Sequence, residues 1–68
     1  MDKTEHDKMW RPMLEERWRN VATAIEAVGK KSVAEQNAMI ARAVDKSLEH
    51  LWLLYLTFDH FDAGVAEQ

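Results

Sequence analysis

Residues Leu51, Trp52, Leu53, Leu54, Tyr55 and Leu56 follow one another without a break, with Thr57 and Phe58 directly after and Phe61 beyond. At about 100° per residue such a run points in every direction around a helix, whereas a surface helix carries one apolar stripe and a polar back. Whatever this chain folds into must therefore cover that segment on several sides. The means are few. The chain has 68 residues and no Cys, so it forms one small domain and disulfides are excluded. A chain of this size buries only about 60% of the surface its unfolded form exposes. A second chain is the economical way to cover the rest.

The remaining pattern is helical throughout. After Pro12, suited to a first helical turn, Leu14, Trp18, Val21, Ile25 and Val28 recur at spacings of 4, 3, 4 and 3. Gly29 follows as a left-handed stop, so helix 1 is expected over 12–28. Ser32 and Glu35 have the spacing of a capping box. No Gly or Pro interrupts the chain from Val33 until Gly64, which places helix 2 over 33–63. Residues 1–11 read as a polar, flexible lead, with Thr4 as the cap should they extend helix 1.

A connection of about four residues joins antiparallel neighbours, so the expected fold is all-α: an antiparallel helical hairpin with a short helix 1 and a long helix 2. Folding back about the loop pairs Val28 with Val33, Val21 with Ile40, Trp18 with Val44, and Leu14 with Leu48. The same register sets residues 51–61 against residues 1–10, where only Met1, Met9 and Trp10 are apolar. The hairpin is therefore expected to dimerise through helix 2 into a four-helix-bundle-like homodimer. Val44, Leu48, Leu51 and Trp52 are the expected interface, continued by Leu54, Tyr55, Phe58 and Phe61.

Charge and motif exclude most chemistries. Nine Lys and Arg against twelve Asp and Glu give a formal net charge of −3, which disfavours nucleic acid as a partner. All nine bases fall within residues 1–46, while residues 47–68 carry Glu49, Asp59, Asp62 and Glu67 and no base. No acid is followed three residues later by His, the spacing a carboxylate-bridged di-metal bundle needs. His50 and His60 are ten apart and diverge around a helix, which leaves Asp59, His60 and Asp62 as a weak cross-dimer set at most. Ser32 reads as a cap and Ser47 lies mid-helix. Neither Gly makes a phosphate loop. No catalytic residue, cofactor or metal is expected, and the chain reads as a non-enzyme.

Three Trp in so short a chain point instead to protein recognition, because Trp, Tyr and Arg dominate binding hot spots. Trp18 belongs to the helix 1 seam. Trp10, Arg11, Met13 and Arg17 form the candidate partner-binding set, Met suiting surfaces that repack. In size and helix plan the expected dimer resembles the small anti-activators and inhibitors that phages and mobile elements direct at host regulators. That resemblance implies a regulator that binds and blocks a larger protein. Two alternatives are an RNA- or DNA-binding bundle, similar in architecture to the plasmid-copy-control RNA-binding bundle, and an accessory subunit of an enzyme complex. The first residues alternate in charge, unlike a secretory signal, and the longest apolar run has six residues, too few to span a bilayer. The cytoplasm is the expected compartment.

Overall fold

The structure, a computed structural model, describes the backbone of residues 1–66 and the side chains of residues 1–60. It is all-α, with α1 over Lys3–Ala24, a one-turn α2 over Glu26–Gly29 and α3 over Val33–Ala66. The molecule is thin and long, 55 × 20 × 14 Å with a radius of gyration of 15.9 Å, against about 11 Å for a compact chain of this length. Two helices side by side have no interior beyond the seam between them.

The lead expected to be flexible is helix. Asp2, not Thr4, is its cap: the carboxylate accepts from the Glu5 backbone N–H at 2.8 Å, satisfying one of the four donors a helix start leaves open. Lys3 and Asp7, one turn apart, pair at 2.8 Å. Pro12 consequently lies inside α1 rather than in its first turn. An internal Pro forfeits one backbone bond and costs about 3 kcal/mol, offset here by packing on both sides of it, His6 and Trp10 before and Leu14 after.

The first helix also ends earlier than the periodicity indicates. Val21, Thr23 and Ile25 alternate along its last turn, and β-branched residues are poor helix formers. The Thr23 hydroxyl bonds back to the Arg19 carbonyl at 2.9 Å. Ile25 then opens to an extended conformation, φ −94° and ψ 111°, which swings the α2 turn inward and buries Val28. Gly29 is not a left-handed stop. Among the described residues none has a positive φ, and the turn closes through Lys30 in right-handed helical geometry.

Ser32 caps α3 as its spacing indicates, its hydroxyl accepting from the Glu35 N–H at 3.2 Å, while the Glu35 carboxylate lies toward Lys31 at 4.0 Å. Gly64 does not end α3, which continues to Ala66. At 34 residues the helix is about 51 Å long, against about 33 Å for α1.

The core is a single strip of Ile40, Val44 and Leu48 packed by Trp10, Leu14, Trp18 and Ala22. Both helices use steps of four, so the strip on α1 drifts around its axis toward Ala22. Val21 and Ile25, expected on the seam, are left on its rim, each about two-fifths exposed. Val33, expected against Val28, is exposed because the α2 turn carries Val28 away from it. The Trp18 indole N–H donates to Ser47 Oγ at 2.9 Å, Arg11 pairs with Asp45 at 3.5 Å, and the Met1 ammonium donates to the Tyr55 hydroxyl at 3.3 Å. Early residues of α1 thus meet late residues of α3.

Candidate functional site

Three features of this two-layer plan bear on recognition: an aromatic clasp at the N-terminal end of α1, an apolar end of α3, and a groove along one flank of the helix pair.

The clasp is centred on His6, whose side chain is only 2% exposed. Its ring lies 5.2 Å from Trp52 in an edge-to-face arrangement, 5.9 Å from Tyr55 and 6.4 Å from Trp10, all within the range where aromatic pairs attract. Trp52 and Tyr55 stack on each other at 5.4 Å. His6 Nδ1–H donates to one Asp7 oxygen at 3.1 Å, while Lys3 donates to the other at 2.8 Å; an ionised carboxylate has no proton to give, which sets the direction of both bonds. The Lys3 ammonium, and then His6, hold the Asp7 carboxyl below the ordinary carboxylate range. His6 is the functional residue that polar residue type conceals in the sequence. Counting it as polar left residues 1–10 with too little surface to cover α3. The signal was present, since 6, 10, 14, 18 and 22 form one unbroken ridge of step four.

The Met1 ammonium meets α3 at Tyr55, and beyond the clasp α3 runs on from Leu56 to Ala66. Phe58 is 64% exposed, Leu53 54% and Leu54 51%, with Leu56 similar. The Thr57 hydroxyl bonds to the Leu53 carbonyl at 2.8 Å, taking its polar group out of the surface.

The groove lies where Leu14, Arg17, Trp18 and Val21 of α1 face Ser47, His50 and Leu51 of α3 around about 550 Å³ of open space. It continues at one end into a smaller hollow of about 120 Å³ between Val21, Ile25, Met39 and Ala43. At the other end it meets a hollow lined by His50, Leu53, Leu54 and Thr57. The helix pair thus has one apolar flank along most of its length.

The residues expected to form a dimer interface divide accordingly. Val44 and Leu48 are corrected: α1 of the same chain buries them, Val44 completely, because the first helix packs its large Trp side chains directly over them. Leu51, Trp52 and Tyr55 are half-buried, the latter two under His6. Leu54 and Phe58 stand free. The Phe61 side chain lies outside the described residues.

Of the partner-binding set, Trp10, Met13 and Arg17 line one hollow on the outer side of α1 with Leu14 and Val21. Arg11 is turned away from them, toward Asp45 and beside Thr4 and Lys8. Met13 and Arg17 are exposed, whereas Trp10 is half-buried and serves the core as well. Asp59 and His60 are exposed, and among the described residues no three His, Asp or Glu side chains converge. Among these residues, too, no helix is long and apolar enough to cross a membrane.

Compared with protein-family profiles, with curated proteins and with solved structures, the chain gives no match.

Proposed function

We propose that this chain is a non-catalytic protein-interaction module: an antiparallel helical hairpin that self-associates through α3 into a four-helix-bundle-like homodimer. As a dimer it acts as a small regulator that binds and blocks a larger protein. The observation that carries the reading is the apolar end of α3, where Leu53 and Leu54 stand exposed beside the clasp and Leu56 and Phe58 stand exposed past the Met1–Tyr55 contact. Exposed contiguous apolar surface on this scale marks an interaction site. Val44 and Leu48 being occupied within the chain, the self-contact falls on the flank that bears Leu54 and Phe58. Trp10, Met13 and Arg17, with their large adaptable side chains, then form the surface offered to the other protein.

Two measurements test the reading. Leu53→Glu and Leu54→Glu together should convert an associated species to monomer in sedimentation equilibrium with helix content retained; unchanged association would remove α3's free end from the interface. Met13→Ala and Arg17→Ala should lower recovery of a protein partner co-purified from cells expressing the chain, at both low and high salt. Tight binding to RNA or DNA that collapses steeply with salt would replace this reading with a nucleic-acid one.

A further inference from the structure

The proposed homodimer leaves open how two α3 helices meet, and the shape of the flank supplies an answer. We infer that the helices run antiparallel, with Phe58 of each copy seated in the hollow between Val21, Ile25 and Met39 of the other. This rests on the self-association proposed above and adds its register, its anchor residue and the pocket that takes it.

Three observations converge on it. The first is fit. The hollow measures about 120 Å³ and is walled by apolar side chains, close to the roughly 150 Å³ of an apolar cavity that takes up benzene. Phe58 is the most exposed aromatic side chain among the described residues, at 64%.

The second is register. A twofold interface brings residue i against j and j against i, so placing Phe58 on Met39 puts the axis at position 48.5. The midpoint of α3, from its bounds Val33–Ala66, is 49.5. Seating the ring therefore also overlaps the two 34-residue helices over nearly their whole length, and the free end of each covers the loop end of the other. A knob and a hollow at arbitrary places on the flank would not give full overlap.

The third is charge. Residues 47–68 hold four acids and no base. The antiparallel register lays that acidic half over residues 29–50 of the other copy, where Lys30, Lys31, Arg42 and Lys46 outnumber Glu35, Asp45 and Glu49. A parallel pair would set acids against acids, which is unfavourable.

The chain contains no Cys, so a single introduced thiol reports without interference. Met39→Cys protein mixed with Phe58→Cys protein under mild oxidation should give a mixed disulfide dimer as the main product, since a disulfide forms only when the two Cβ atoms come within about 4.5 Å. Phe58→Ala should raise the dimer dissociation constant at least about tenfold, as loss of a central aromatic anchor does, with helix content unchanged. Phe58→Cys linking to itself instead would show a parallel pair and overturn the register. A dimer by mass that yields no Met39–Phe58 link, or one indifferent to Phe58→Ala, would overturn the inference while self-association stood. A monomer at every concentration would overturn both.

Discussion

His6→Ala opens one end of the molecule and leaves the other closed. The imidazole is held among three aromatic rings at 5.2, 5.9 and 6.4 Å, and aromatic pairs in this range contribute about 0.5 to 1.5 kcal/mol each beyond their buried area. The three share one ring and do not add fully, and the lost bond to Asp7 is replaced by water, so a total of about 2 to 3 kcal/mol is the reasonable figure. This loss is local, because the other ties of the first turns, the Asp2 cap, the Lys3–Asp7 pair and the Met1–Tyr55 bond, all lie at the surface. Amide hydrogen exchange in residues 5–11 should therefore speed up by about 30- to 150-fold, the factor that 2 to 3 kcal/mol implies. Amides near Trp18 and Val44 should change by less than threefold. A uniform increase along the whole chain would refute the reasoning, showing that α1 unzips as one unit. No increase would show that His6 is not what holds the helix start.

Trp18→Phe removes the indole donor to Ser47 Oγ and should lower stability by about 1 kcal/mol in urea unfolding; Ser47→Ala added to it should cost little more, whereas full additivity would mean the bond contributes nothing. Gly29→Ala should raise stability by about 0.5 to 1 kcal/mol, since a Cβ there meets nothing within 4 Å and the backbone needs no positive φ; destabilisation on thermal unfolding would contradict the turn geometry. Asp7 has its pKa lowered from an ordinary value of 3.8, so it contributes stability above that value and loses it as pH falls through the folded-state value. Acid titration of Asp7→Asn should lack this part of the wild-type loss, and identical curves would remove Lys3 and His6 as its cause.

The helical content of this chain was legible because it depends on local features: an uninterrupted α3, a Ser32 cap and apolar residues at helical spacing. The pairs Trp18 with Val44 and Leu14 with Leu48 were legible for the same reason, both falling within the observed core strip. The start of α1 was not, because Pro12 is an equally good sign of a first turn and of an interior kink, and only the packing on either side of it decides. The end of α1 is hidden in the sequence because Gly29 is a louder stop signal than the β-branched alternation ahead of it. Among the site residues, Trp10, Met13 and Arg17 gather on one surface, but Arg11 diverges because the step of one from Trp10 turns it about 100° around the helix. Val44 and Leu48 read equally as interface or as core, because burial in a core and burial in a dimer leave the same apolar pattern in a sequence.

What covers the apolar end of α3 is read most directly from the mass of the purified chain in solution, by light scattering over a concentration series down to about micromolar. A homodimer gives twice the 7.9 kDa of one chain, persisting through the series. A mass of one chain at every concentration, with helix content intact, would contradict it.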